Sequence, residues 1–254
     1  MNECLKAIQP VFRIVRRDPF GEKRSFNDLF RGRDDGPIQV NRRGGSGLTF
    51  SETEKKEIKE SVVILTIAFA MALTGGLSAV MNDVRTFLIY EIPFAFVAVM
   101  TGFLLHEIAH KWMAVYYGCW AEYRGNRSGL LVAVLMSTFG FLLAAPGAVM
   151  IMGRINDKQH GHIAAVGPLT NVILAMIAMP IYAMEGGGIA NGLGELSILG
   201  SLARFLIIIN LILAGFNMIP VSPLDGSKVL AWSFGAYCLV VACILAAANT
   251  YWSL

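Results

Sequence analysis

Six apolar runs, near residues 61–81, 86–109, 129–152, 163–184, 202–222 and 230–250, dominate the chain. Each approaches or exceeds the roughly twenty residues that a helix needs to cross about 30 Å of hydrocarbon. Runs of that length and number need lipid as their solvent, and in lipid each main-chain N–H and C=O has to be satisfied internally, which selects helices. The charge is distributed accordingly: residues 1–60 hold thirteen of the 21 Lys and Arg and ten of the 18 Asp and Glu, leaving the remainder nearly uncharged. The predicted fold class is an α-helical polytopic membrane protein with about five to six transmembrane helices.

Two regions follow from this division. Residues 1–50 are expected to form a polar, basic tail. From Asp18 to Gly47 it shows no sustained period and ends in Gly44-Gly45-Ser46-Gly47, the pattern of a flexible segment. It has no apolar h-region of a signal peptide, and its Arg clusters (Arg13, Arg16-Arg17, Arg42-Arg43) suit anionic lipid headgroups. The positive-inside rule assigns it to the cytoplasm. Ser51-Glu52-Thr53-Glu54 reads as a capping box that opens the transmembrane domain, residues 51–254 with a core at 86–230. The first break is expected at Gly75-Gly76 or Asn82-Asp83. Cys4, Cys119, Cys238 and Cys243 show no C-x-x-C spacing and imply no disulfide framework.

The second run carries His106-Glu107-Ile108-Ala109-His110 near its end. On a helix the two histidines lie one turn apart on one face, so both imidazoles can hold a single Zn²⁺, with Glu107 beside the open coordination position. Zinc lowers the pKa of a coordinated water to about 7, and a neighbouring glutamate can take its proton as it attacks a peptide carbonyl. A charged side chain at membrane depth costs at least about 2.5 kcal/mol, so three ionisable groups there point to function. Lys111 and the aromatic residues Trp112, Tyr116, Tyr117 and Trp120 follow directly, as expected where a helix leaves the bilayer on the cytoplasmic side. The His160-Gly161-His162 pair, beside Arg154 and Lys158, is expected in a solvated polar loop and not as a metal site.

Charge parity bears on the third run. If 129–152 crossed fully, Arg154 and Lys158 would lie outside, and the acidic stretch with Glu185 and Glu195 would lie inside. If it instead enters and returns, turning at Ala145-Pro146-Gly147 and coming back as the strand-like run Ala148, Val149, Met150 and Ile151, the charges fall on their expected sides. Asp225 then emerges beside His106 and His110. We therefore predict a re-entrant segment near 129–152.

A catalytic zinc takes three protein ligands and keeps one position open. Glu91 is fifteen residues before His106, about 22 Å along a helix, and cannot reach. Glu122 and Asp157 sit in loops whose position the sequence does not fix. Asp225 follows Pro220 and Pro223, which interrupt an apolar helix, and irregular backbone at membrane depth belongs where it lines a cavity.

The ordered set HEIAH, then Gly167-Pro168-Leu169-Thr170-Asn171, then Asn217-x-x-Pro220 leading to Asp225-Gly226, resembles the site-2 protease family of intramembrane zinc metalloproteases, over roughly residues 86–230. The resemblance implies one Zn²⁺ per chain held by His106, His110 and Asp225, Glu107 as general base, and Asn171 and Asn217 near the scissile peptide. It implies hydrolysis within or near the transmembrane helix of a single-span membrane protein, as in regulated intramembrane proteolysis, with the active site in the bilayer near the cytoplasmic face. The expected partners are that substrate and membrane lipid, not nucleic acid; the oligomeric state stays open. The strand-like run 148–151 is expected to offer an edge to which an unwound substrate pairs. No PDZ or CBS insertion is evident. The alternative from another class is a zinc-binding transporter or helix-binding protein that does not hydrolyse, and it would need no base at Glu107.

Overall fold

A computed structural model describes residues 48–143, 145–185 and 197–254 of the chain. The expected tail up to Gly47, and Glu195 of the acidic stretch, fall outside them. In order, the elements are α1 (Glu52–Thr74), α2 (Leu77–Asn82) and a single turn α3 (Val84–Thr86), which continues through a π turn (Phe87–Glu91) into α4 (Ile92–Tyr116). Then come β1 (Trp120–Gly125), α5 (Arg127–Ser137), β2 (Gly147–Met152), α6 (Asp157–Met184), α7 (Ile198–Asn217), α8 (Asp225–Trp232) and α9 (Phe234–Ser253).

Among the described residues four helical stretches are long and apolar enough to cross a membrane: Val84–Tyr116, Asp157–Met184, Ile198–Asn217 and Phe234–Ser253. The protein is a helical, polytopic membrane protein. α1 has 23 residues, but its first turns alternate Glu and Lys from Glu52 to Glu60, so only its second half is uniformly apolar.

The third apolar run divides as predicted into a helix and a returning strand. α5 has 11 residues, about 16 Å at 1.5 Å per residue, half the thickness of a bilayer core. The reversal comes earlier than Ala145-Pro146-Gly147. It lies just after α5, where Gly140 takes φ 78° and Leu77 N–H donates to Thr138 O at 2.9 Å. A left-handed residue there is inexpensive only for glycine.

β1 and β2 form a two-stranded antiparallel sheet with Tyr123 opposite Val149. Hydrogen-bonded and open pairs alternate along such a ladder. Asn126 N–H donates to Pro146 O at 2.7 Å, one residue beyond the Gly125–Gly147 pair, which sets the phase. Ala148 and Met150 therefore bond across to β1, whereas Gly147, Val149 and Ile151 turn their main-chain groups outward. On β1 the outward groups are taken by α1: Tyr123 N–H donates to Glu54 Oε1 and Gly125 N–H to Glu57 Oε2, each at 2.9 Å. One edge of the sheet is thus capped by carboxylates. The edge on β2 has no such cap among the described residues.

Glu54 departs from the expected capping box. Ser51 Oγ accepts from Glu54 N–H at 3.0 Å, as a cap should, but the Glu54 carboxylate turns away to meet Lys111 Nζ at 2.5 Å, with the Phe50 ring 4.1 Å from the ammonium. Glu54 and Lys111 are both buried, and a buried charge left unpaired costs far more than one uncapped N–H. This pair ties the start of α1 to the turn of α4 directly after His110.

α7 stands between two apolar clusters. Its Phe205, Ile209 and Leu213 pack with α1 and α4, while Ile207 and Ala214 pack with α6 and α9. α4 presents buried Ala95, Ala98, Val99 and Gly102 at helical spacing, small residues that let neighbouring spans approach closely where no hydrophobic effect drives them together. Tyr123 closes the sheet onto this core: its ring packs edge-on against Phe103 at 5.6 Å, and its hydroxyl donates to Pro146 O at 2.9 Å.

Candidate metal centre

The turn spacing of α4 brings His106 Nε2 and His110 Nε2 to 2.9 Å, the rings edge-on at 84°. α8 supplies Asp225, whose Oδ2 lies 3.0 Å from His110 Nε2 and 3.4 Å from His106 Nε2. All three side chains are buried.

The far side of each imidazole fixes its tautomer. His110 Nδ1 is 2.6 Å from Ile163 O, a carbonyl that only accepts, so Nδ1 carries the proton. His106 Nδ1 is 2.6 Å from Asn171 Oδ1. The Asn171 amide is oriented in turn, because its Nδ2 donates to Asn210 Oδ1 at 3.0 Å while Asn210 Nδ2 donates to Leu206 O at 2.8 Å. Both Nε2 atoms thus present lone pairs, and a carboxylate oxygen joins them. With both rings neutral, three acceptors converge, a repulsive arrangement that a cation relieves. The sides of the triangle, 2.9 to 3.4 Å, approach the roughly 3.3 Å between tetrahedral ligands at Zn–N and Zn–O distances near 2.05 Å. Two imidazoles and one carboxylate are also a catalytic zinc donor set, and the residues present fit that ion. Buried Glu107 lies next to them, and its Oε2 has no hydrogen-bond partner among the described residues.

Over 186 residues the chain is 34% identical to "Putative zinc metalloprotease MJ0611" of Methanocaldococcus jannaschii, an alignment that covers 72% of this chain and 87% of that protein. The chain belongs to this zinc metalloprotease family. It is also 26% identical over 167 residues to "Zinc metalloprotease MJ0392" of the same organism, covering 65% of this chain and 40% of that one. With "Putative zinc metalloprotease YwhC" of Bacillus subtilis the identity is 27% over 166 residues, 57% of this chain and 72% of the relative. No protein-family model matches the chain, and no solved structure does.

Two glycines let the metalloprotease centre assemble. A Cβ on Gly167 of α6 would stand 2.6 Å from His110 Cε1 and 2.7 Å from His106 Cε1, so only glycine lets α6 pass this close to the histidines. A Cβ on Gly226 would come within 2.5 Å of the Met218 carbonyl carbon, so the chain after α7 can fold back and deliver Asp225 only with glycine there.

The centre opens into a cavity of about 80 Å³, room for several waters. His106, Glu107, His110, Asp225 and Asn217 line it, as do Ala148, Val149 and Ile151 of β2; Met150 points away. Asn171 is fully buried behind His106, while Asn217 donates its amide N–H to Leu213 O at 2.9 Å. Glu122 bonds Ser51 and Arg124.

His160 and His162 correct one expectation. They lie in the first turns of α6, not in a loop, because an Asn156–Gln159 capping box starts that helix early. His162 Nδ1 is 2.6 Å from Tyr117 OH and its ring packs on Trp232, while His160 lines the cavity. Asn210, the Ile163 carbonyl and Lys228 belong to no motif of the sequence. Asn210 carried a signal, since a polar side chain in mid-span asks for a reason.

Proposed function

We propose that this zinc metalloprotease is an intramembrane protease of the site-2 type, which hydrolyses a peptide bond within or near the transmembrane helix of a single-span membrane protein. The observation that carries this reading is where the centre is built. His106 and His110 belong to a helix long and apolar enough to span, and the amide that orients His106 comes from a second such helix, α6. With the N-terminus cytoplasmic, the apolar second half of α1, continued by α2, leads out, α4 returns, the α5–β2 segment dips in and comes back, α6 leads out and α7 returns. The catalytic centre then opens toward the cytoplasmic face, on the side of Arg124, Arg154 and Lys158.

Zinc held by His106, His110 and Asp225, one ion per chain, would act as a Lewis acid on the attacking water and the scissile carbonyl. Glu107, whose Oε2 has no hydrogen-bond partner among the described residues, takes a proton from that water and passes it to the leaving amide nitrogen. Asn171 and the Ile163 carbonyl hold the two imidazoles in the tautomer that faces the metal. A substrate helix hides its main chain in its own hydrogen bonds, so it has to unwind before cleavage. The unwound segment adds as a strand to the open edge of β2, meeting the outward groups of Gly147, Val149 and Ile151 beside the cavity. Asn217 on the cavity wall lies close to that segment.

The test is to reconstitute the protein in lipid vesicles with a single-span reporter and to locate the cut by mass spectrometry. This reading predicts a cut inside or at the border of the apolar span. Cuts confined to soluble loops of the reporter would contradict it.

A further inference from the structure

We propose that Lys228 is a positioning residue of the metal centre, holding Asp225 as a one-oxygen ligand so that the remaining coordination position stays open to water. Lys228 lies one turn after Asp225 on α8, and its Nζ is 2.9 Å from Asp225 Oδ1. The other carboxylate oxygen, Oδ2, is the one that faces both histidines. Oδ1 has no second hydrogen-bond partner among the described residues, and Lys228 has no other acceptor there. The lysine side chain is 29% exposed and lines the same cavity as Glu107, so its ammonium works from the cavity wall and not from the interior of a helix interface.

The chemistry gives that contact a purpose. Imidazole offers a metal one nitrogen, whereas a carboxylate offers two oxygens and can rotate to chelate with both. Chelation by Asp225 would fill the position at which water and the scissile carbonyl meet Glu107. A charge-assisted bond to Oδ1 competes with chelation and locks the carboxylate plane. His106 and His110 have comparable supports at Asn171 and Ile163; Lys228 completes the set for the third ligand.

The inference rests on the zinc reading above, and one experiment separates the two. Wild type, Lys228→Met, Lys228→Gln and Lys228→Arg are purified in detergent. Each is stripped of metal, and zinc affinity is measured by competition with a chelator, alongside the visible spectrum of the cobalt(II)-loaded protein. Zinc affinity should not fall in Lys228→Met and Lys228→Gln, because a second carboxylate oxygen joins the metal and a neighbouring cation is removed. Both variants should show a weaker cobalt band as coordination rises from four to five, and a lower kcat with the KM for the reporter unchanged. Lys228→Arg should recover the four-coordinate spectrum. An unchanged cobalt spectrum in Met and Gln variants that elute like wild type would overturn the role of Lys228 while leaving the zinc centre intact. Wild type that binds neither metal would overturn the zinc reading itself. Should Lys228→Met not elute as folded protein, Lys228→Gln and Lys228→Arg decide the matter on the cobalt spectrum and kcat.

Discussion

Replacing Val149 with proline tests whether substrate pairs with β2. The ladder phase set by Asn126 N–H and Pro146 O turns the Val149 main chain away from β1, so proline there removes a donor that no group among the described residues uses. Proline is tolerated on an edge strand when its nitrogen faces outward, and it restricts the preceding residue to the extended region, which Ala148 already occupies. The sheet and the centre should therefore survive. What is lost is one main-chain hydrogen bond to the substrate, a net 0.5–1.5 kcal/mol or so. At about 1.4 kcal/mol per tenfold, kcat/KM for the reporter should fall roughly 2- to 13-fold. Zinc content and thermal midpoint should match wild type. Ala148→Pro is the contrast: the N–H at Ala148 bonds across to β1, so this variant should lose the sheet, and stability with it. Full activity in Val149→Pro would refute strand addition at this edge, and loss of zinc or stability in Val149→Pro as severe as in Ala148→Pro would refute the ladder phase.

Two further perturbations address the scaffold. Glu54→Gln leaves the Lys111 ammonium buried opposite a neutral amide and should destabilise the protein by about 3–5 kcal/mol in chemical denaturation, much of it recovered in a Glu54→Leu, Lys111→Met double variant; a change within 0.5 kcal/mol or so would contradict the pairing. Gly167→Ala places a methyl against both imidazoles and should cut both zinc content and turnover, the latter by about 100-fold for a displacement near 1 Å. A fully loaded and active Gly167→Ala would show that α6 does not press on the histidines.

What could be read from the chain alone followed the range of the interactions. HEIAH was legible because its geometry is local: a four-residue spacing on any helix brings the two nitrogens together. The apolar runs announced helices for the same reason, and the charges around 129–152 announced that this run returns. The turn inside it was displaced toward α5 because the left-handed residue is Gly140, and one glycine in an apolar run gives little signal. Glu54 was read as a local cap, yet its carboxylate serves Lys111, 57 residues away, and Tyr123, 69 away. Asn210 and the Ile163 carbonyl act only through the packing of α7 and α6 against α4, which no local pattern encodes. Asn171 was singled out through the family resemblance, but its bond to His106 became visible only once α4 and α6 were side by side.

The most direct test of the account compares wild type with Glu107→Gln for zinc content and for cleavage of the single-span reporter by the purified proteins. The predicted result is equal zinc in both and cleavage by wild type alone, because in the proposed mechanism His106, His110 and Asp225 hold the ion and Glu107 moves the proton. Cleavage by Glu107→Gln at the wild-type rate, with zinc retained, would contradict it.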